Sequence, residues 1–129
     1  MIAVDTNILV RLLTRDDVRQ YKKAYALLET QEVFIADTVV LETEWVLRYG
    51  YDFSVDAICD ALVKLFGLAN VRLANPRAVA LAIAWHREGV DFADALHLSN
   101  CQSCEALYTF DKTFASRARG HSDCTVTLA

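Results

Sequence analysis

Short apolar runs alternate with helical repeats along this chain. The apolar runs are Ile2–Val4, Val33–Ala36, Val71–Leu73, Ala106–Phe110 and Thr125–Leu128. Between them, apolar residues recur every three or four positions, which is the spacing of one helix face. This alternation predicts parallel β-α-β units and a sheet that is covered by helices on both faces. We therefore predict a three-layer α/β fold with a central parallel sheet of about five short strands flanked by helices.

Capping residues and glycines set the predicted helix bounds. Ser54 has the position of an N-cap, and Asn75-Pro76 combines a cap with a proline at the first helical position. The predicted helices cover residues 6–14, 17–30, 37–49, 54–66, 76–88, 91–98 and 112–117. The chain has 129 residues, and 54% of them are apolar, so we expect a single folded domain over residues 1–129 rather than a disordered chain.

The N-terminal residues do not have the pattern of a targeting segment. Asp5 and Asn7 interrupt the apolar residues, and no basic leader precedes them, so we expect neither a signal peptide nor a membrane span. A cytoplasmic location follows as the expectation, and cysteines are reduced there. Cys101 and Cys104 have a spacing that also occurs in redox and zinc sites, but only His97 lies nearby as a further ligand. We expect ordinary thiols.

Two aspartates stand directly after predicted strands. Asp5 follows Ile2–Val4, and Asp111 follows Ala106–Phe110. In open α/β sheets, ligand sites lie outside the carboxyl ends of the strands, so both acids fall on the edge where a site forms. Aspartate is also a common helix N-cap, and for each residue alone that interpretation is equally good.

Glu42 and Glu44 share one predicted helix and differ in their neighbours. The apolar residues on the face of Glu42 are Val39, Trp45, Val46 and Tyr49. On a helix with about 100° per residue, Glu44 falls on the opposite face, towards solvent. A carboxylate among apolar side chains is costly unless a cation accompanies it. This pattern favours Glu42 over Glu44 as a site residue.

Asp91 and Asp94 are three residues apart and share a helix face. Asp91 is well placed as an N-cap, and this role explains it as well as any catalytic one. Capping explains Asp94 less well, because Leu98 and Cys101 follow it on a stripe that we expect to point inwards.

Four acids facing one crevice predict a metal site. Carboxylates a few ångströms apart repel each other by about 4 kcal/mol per close pair at intermediate dielectric, and a divalent cation removes that cost. Mg²⁺ and Mn²⁺ prefer carboxylate and water ligands and can activate water for attack on a phosphodiester. We find no Ser/His/Asp set, no Cys/His set and no glycine-rich phosphate loop. The sequence therefore predicts a metal-dependent nuclease built on Asp5, Glu42, Asp94 and Asp111.

At these residues the chain resembles a known family. The blocks that carry the resemblance are Val4-Asp5-Thr6-Asn7, Val40-Leu41-Glu42 before Trp45-Val46-Leu47, Asp91-Phe92-Ala93-Asp94-Ala95-Leu96, and Thr109-Phe110-Asp111. Their order and separation resemble PIN-domain proteins over essentially the whole chain, and among them the VapC-like toxins of bacterial toxin–antitoxin pairs.

The resemblance implies Mg²⁺- or Mn²⁺-dependent cleavage of RNA. Asp5 and Asp94 would be direct metal ligands, and Glu42 and Asp111 would bind the metal directly or through water. Asn7 and Thr109 would position water or an acid, and Asp91 would assist. The resemblance also implies a small antitoxin protein as partner and a homodimer.

RNA contacts are harder to predict from this sequence. Arg11, Arg15 and Arg48 are candidates, although a solvated helix face explains each of them as well. The net charge of −4 argues against a broad nucleic-acid-coating surface.

Other functions remain open at this point. A housekeeping PIN nuclease of RNA processing and a non-catalytic binding module are both compatible with the pattern. A phosphatase of the haloacid dehalogenase type would need a second aspartate where Asn7 stands.

Overall fold

The computed structural model describes residues 1–129 and contains five strands and seven α-helices. The elements in chain order are β1 (Ile2–Ala3), α1 (Thr6–Thr14), α2 (Val18–Thr30), β2 (Val33–Ile35), α3 (Asp37–Trp45), a π-helical turn (Val46–Gly50), α4 (Val55–Phe66), β3 (Val71–Leu73), α5 (Pro76–Arg87), α6 (Phe92–Ser99), β4 (Ala106–Thr109), α7 (Lys112–Arg117) and β5 (Thr125–Leu128).

The chain divides into two compact units, Met1–Pro76 and Arg77–Ala129. In the first unit, β1, β2 and β3 pair in that order, and both pairs are parallel. Ala3 lies opposite Phe34, so β1 and β2 end side by side. The core of this unit includes fully buried residues from strands and helices, among them Leu9, Val33, Val40 and Leu62.

Side-chain caps fix the starts of the helices in the first unit. The carboxylate of Asp17 accepts a hydrogen bond from the Gln20 amide at 3.0 Å, and the Ser54 hydroxyl accepts one from the Ala57 amide at 3.1 Å. Each bond satisfies one of the amides that a helix leaves unpaired at its N-terminus. These short-range contacts explain why the predicted and observed helix starts agree so closely.

The second unit pairs β4 with β5 in parallel, with Ala106 opposite Thr125. Helix α6 begins after a tight turn in which Gly89 has a φ of +104°, a conformation that glycine adopts without strain. Buried His86 reinforces the turn, because its Nδ1 lies 2.7 Å from the Val90 carbonyl oxygen. The turn sets the chain direction for α6, which carries Asp94.

The α/β fold class with short parallel strands is confirmed. The five predicted strands are all present. They form a three-stranded sheet in the first unit and a two-stranded sheet in the second. A single domain over residues 1–129 stays a prediction. No helix has both the length and the apolar character that a membrane span requires.

One predicted helix is interrupted. The sequence predicts a continuous helix over residues 37–49, but the α-helical part ends at Trp45 and a π-helical turn follows. A π turn inserts extra backbone into each turn, so side chains after Trp45 no longer follow the spacing of an α-helix. This change alters which side chains of the segment are buried.

Candidate active site

In the first unit, acids follow the ends of two paired strands. Asp5 comes two residues after β1 and caps α1, where its Oδ1 accepts a hydrogen bond from the Ile8 amide at 3.3 Å. Asp37 comes two residues after β2 and is the first residue of α3. Because β1 and β2 are parallel neighbours, both acids lie on the same edge of this sheet.

Glu42 is held by a neighbour of Asp5. The hydroxyl of Thr6 donates a short hydrogen bond to Glu42 Oε1. Thr6 is buried, whereas Glu42 is exposed. This contact links the start of α1 to α3 and brings Glu42 to the residue directly after Asp5.

The expected burial of the two glutamates was wrong. Glu44, expected near solvent, is only 1% exposed, whereas Glu42 is exposed. Arg48 neutralises Glu44 with two contacts, Nε to Oε2 at 2.9 Å and Nη2 to Oε1 at 3.2 Å. Glu44 is therefore committed to a buried ion pair, and Glu42 is the glutamate of α3 that a ligand can reach.

Exposed aromatic side chains explain this reversal. The apolar pattern predicts Trp45 and Tyr49 on the inward-facing stripe, but they are 57% and 62% exposed. Their rings contact each other, with centroids 5.4 Å apart, and Arg48 lies over the Tyr49 ring. The inward face of α3 instead carries Val40 and Thr43 together with Glu44. Apolar character alone gave the wrong face.

Asp37 has one carboxylate oxygen without a partner. Its Oδ1 is buried and forms no hydrogen bond with the protein. Leaving a buried carboxylate oxygen unsatisfied is costly, so this atom is suited to accept a hydrogen bond from water or to bind a cation. Asp37 follows β2 as Asp5 follows β1, and this repeated position is the signal from which sequence analysis could have included it.

In the second unit, two acids act on the carboxyl of Asp94. Asp91 caps α6, and its Oδ2 accepts a hydrogen bond from the Asp94 amide at 3.3 Å. Burial raises the pKa of the Asp94 carboxyl above its ordinary value, and the negative charges of Asp91 and Asp111 raise it further, while His97 lowers it. The structure thus places Asp91 and Asp111 within electrostatic reach of Asp94.

Asp111 and Thr109 form one local arrangement. The carboxylate of Asp111 accepts a hydrogen bond from the Phe114 amide at 3.1 Å and so caps α7. The hydroxyl of Thr109 accepts a hydrogen bond from the Asp111 amide at 3.0 Å. Thr109 therefore orients the backbone that carries Asp111. Asn7, the other predicted supporting residue, is exposed on the first turn of α1.

The predicted RNA-contact arginines already have partners in the protein. Arg11 contacts Asp16 at 3.2 Å and donates to the Tyr51 hydroxyl at 2.9 Å, and the Tyr51 hydrogen bond is the main cause of its raised pKa. Arg48 is bound to Glu44. Arg15 lies over the Tyr21 ring and remains exposed. Their contact with RNA stays a prediction.

The second unit contains three free cysteines, Cys101, Cys104 and Cys124. Cys124 is buried, and burial is the main cause of its raised pKa, with smaller contributions from Cys101 and Cys104. A raised pKa keeps this thiol protonated and weakens it as a nucleophile and as a metal ligand.

The donor chemistry of both units fits a hard divalent cation. Repulsion around Asp94 and the unsatisfied Oδ1 of Asp37 would both be relieved by positive charge. In neither unit alone do three or more Asp, Glu, His or Cys side chains form a cluster that could hold a metal ion. The four-acid metal centre therefore stays a prediction.

Comparison with known families identifies the chain. A family model described as the PIN domain matches residues 2–120. The chain belongs to the PIN domain family. A search of curated proteins finds no match. PIN domains are generally metal-dependent nucleases that use Mg²⁺ or Mn²⁺. The chain therefore belongs to a family of nucleases, which are hydrolases.

Thr6 is the contact that sequence analysis missed in this PIN domain. It lies inside the block Val4-Asp5-Thr6-Asn7, between two residues whose side chains are better suited to bind metal or water. A hydroxyl next to a candidate ligand is a usable signal, although its partner, 36 positions away, could not be read from the sequence.

Proposed function

We propose that this PIN domain is a Mg²⁺- or Mn²⁺-dependent endoribonuclease that hydrolyses RNA phosphodiester bonds at Asp5, Glu42, Asp94 and Asp111. The observation that carries the proposal is that Asp94 is partly buried beside the negative charges of Asp91 and Asp111, in a chain that matches the PIN domain over residues 2–120. Carboxylates that lie close together repel each other and so destabilise the folded protein. A role in cation binding explains why they are grouped.

Each of the four acids has a distinct role in this proposal. Asp5 and Asp94 would hold the metal directly, while Glu42 and Asp111 would bind it directly or through water. A bound divalent cation supplies an activated water and neutralises charge on the phosphodiester. Thr109 keeps Asp111 in place through its amide, and Asn7 would orient water. Glu44 has no part in the chemistry, because Arg48 occupies it.

Cleavage of RNA with and without metal tests the proposal. Wild type should cleave a mixed RNA substrate in Mg²⁺ or Mn²⁺ and stop when the metal is chelated. Asp5→Asn and Asp94→Asn should each reduce the rate by about 100-fold or more, in line with the loss of metal catalysis. Asp123→Asn, at an exposed acid of the second unit, is the matched control and should cleave as wild type does. Full activity in Asp94→Asn would show that the site is wrongly assigned.

We also propose that the enzyme is the toxin of a type II toxin–antitoxin pair, with a small antitoxin as partner. Support comes from an open groove of about 490 Å³ in the first unit, formed by α1, α2 and α4. Apolar and aromatic side chains line much of it, including Leu12, Leu65 and Tyr25, and Tyr25 is 50% exposed. An exposed apolar groove of this kind is typical of a surface that binds a partner segment.

Expression in cells separates a toxin from a housekeeping nuclease. The toxin proposal predicts that wild type arrests growth, that Asp94→Asn does not, and that co-expression of the small protein encoded next to it restores growth. Replacement of the exposed Tyr25 in the groove by a charged residue should prevent rescue but not arrest. Normal growth with active wild-type enzyme would favour the housekeeping role.

We further propose that the protein forms a homodimer, with the exposed Trp45–Tyr49 pair as part of the contact. An exposed aromatic pair on one helix face is typical of the centre of an interface. Sedimentation should show a dimer for wild type and a monomer for Trp45→Ala/Tyr49→Ala. A monomeric wild type would rule the dimer out.

A further inference from the structure

The hydrogen bond from Thr6 to Glu42 joins two parts of the site that are far apart in sequence. Thr6 is 6% exposed and is the first residue of α1, directly after the N-cap Asp5. Glu42 lies in the middle of α3 and is exposed. Its Oε1 accepts the Thr6 hydroxyl, whereas Oε2 has no partner in the protein.

We propose that Thr6 is a positioning residue that holds the Glu42 carboxylate in the orientation needed for metal binding. The proposal rests on the function proposed above and adds a residue that the four-acid site does not include. The physical reason is the freedom of an exposed glutamate, which has three rotatable side-chain bonds and visits many rotamers in solvent. A hydrogen bond to one oxygen restricts these rotamers and leaves the other oxygen for a ligand.

The location of Thr6 makes the orientation specific. Asp5 and Thr6 are consecutive, and the Asp5 carboxylate is itself fixed as the cap of α1. Any shift of α1 therefore moves both groups together, so the bond couples the position of Glu42 to that of Asp5. Partners of this kind, which orient metal ligands without touching the metal, typically affect metal affinity strongly when they are removed.

A purely structural role for the Thr6 hydroxyl is the competing explanation, and α3 supplies a matched control for it. Thr43 is fully buried, and its hydroxyl forms no hydrogen bond. Thr6→Val and Thr43→Val remove the same atom from buried threonines, but only the first removes a contact with Glu42. Thr6→Ser keeps the hydroxyl.

Calorimetric titration of Mn²⁺ into the full-length protein tests the proposal independently of catalysis. We expect Thr6→Val to weaken Mn²⁺ binding about 10-fold, and Thr6→Ser and Thr43→Val to stay within about two-fold of wild type. Urea unfolding of each variant checks that the site is folded during the titration. Thr6→Ala provides a second variant without the hydroxyl if Thr6→Val is too unstable to purify.

A double-mutant comparison shows whether Thr6 acts through Glu42. In a Glu42→Gln background, Thr6→Val should cause no further loss of Mn²⁺ affinity, because the carboxylate that it orients is gone. An equal loss in both backgrounds would overturn the proposal, and so would wild-type affinity in Thr6→Val while Glu42→Gln is weakened. Unchanged affinity in Glu42→Gln itself would instead remove Glu42 from the proposed metal site, which is a different failure.

Discussion

At the scale of single residues, the two glutamates of α3 differ in burial and in the residue that each one contacts. Glu44 is buried and bound to Arg48, and Glu42 is exposed and bound to Thr6. A buried ion pair contributes little net stability, but removal of one partner destabilises the protein because the other charge is left unpaired. An exposed glutamate can be changed at little cost to the fold. Substitutions of Glu44 therefore test the stability of the fold, whereas substitutions of Glu42 test the proposed function.

Glu44→Gln should lower the free energy of unfolding by about 2 kcal/mol, because the partly buried Arg48 loses its counter-charge. Glu42→Gln should change it by less than about 0.5 kcal/mol, as is usual at exposed positions. Urea denaturation of both variants measures this difference. Equal destabilisation by the two substitutions would contradict the conclusion that the Glu44–Arg48 ion pair makes Glu44 more important for stability than Glu42.

Asp94 makes stability depend on pH in an unusual direction. Its pKa is raised in the folded protein, first by burial and then by Asp91 and Asp111, above the ordinary value of 3.8. Between the unfolded and the folded pKa, the folded state binds more protons than the unfolded state, so stability falls as pH rises through that window. A charged Asp94 is thus a cost to the metal-free protein.

Asp94→Asn should therefore unfold at a higher urea concentration than wild type at pH 7 in metal-free buffer. The difference should shrink as the pH falls below about 3.8, where wild-type Asp94 is protonated in both the folded and the unfolded state. Asp123→Asn, at an exposed acid of the same unit, controls for the loss of one negative charge. A destabilised Asp94→Asn at pH 7 would contradict the assigned cause of the shift.

At the scale of secondary-structure elements, capping and site chemistry fall on the same residues. Asp5, Asp91 and Asp111 each cap the helix that follows them. The capping interpretation of these acids is therefore correct, and it does not compete with a metal-binding role. A carboxylate has two oxygens, and each cap uses one of them.

Substitution of Asp5 should separate its two roles. Asn is as good an N-cap as Asp, so Asp5→Asn should keep the stability of wild type within about 0.5 kcal/mol and lose cleavage. Asp5→Ala should lose cleavage and about 1 kcal/mol of stability as well, because the Ile8 amide loses its acceptor. Thermal unfolding and RNA cleavage assays on both variants give the comparison. Similar stability of the two would show that the cap contributes nothing.

The elements were largely predictable from the sequence because their signals are local. The N-caps Asp17, Ser54 and Asp91 mark helix starts within a few residues, and α1, β3, α7 and β5 have the predicted bounds. What failed depended on tertiary structure. The π turn after Trp45 and the exposure of Trp45 and Tyr49 could not be read from apolar spacing, because the same spacing fits a buried and an exposed stripe. The Thr6–Glu42 bond joins distant positions and gave no local signal.

At the scale of the whole molecule, charge and the distribution of the acids limit how RNA is bound. The net charge is −4, and Arg11 and Arg48 are engaged within the protein. A phosphate backbone therefore meets a protein of negative net charge, and a bound divalent metal would add positive charge where the acids lie. Asp5 and Glu42 belong to the first unit, and Asp94 and Asp111 belong to the second unit.

Binding of a divalent cation by these acids is the central claim, and calorimetric titration of Mn²⁺ into wild type, Asp94→Asn and Asp123→Asn tests it most directly. We predict saturable binding for wild type and for Asp123→Asn, and an affinity lower by at least about 10-fold for Asp94→Asn. Absence of binding in wild type, or equal binding in wild type and Asp94→Asn, would contradict the proposed metal site.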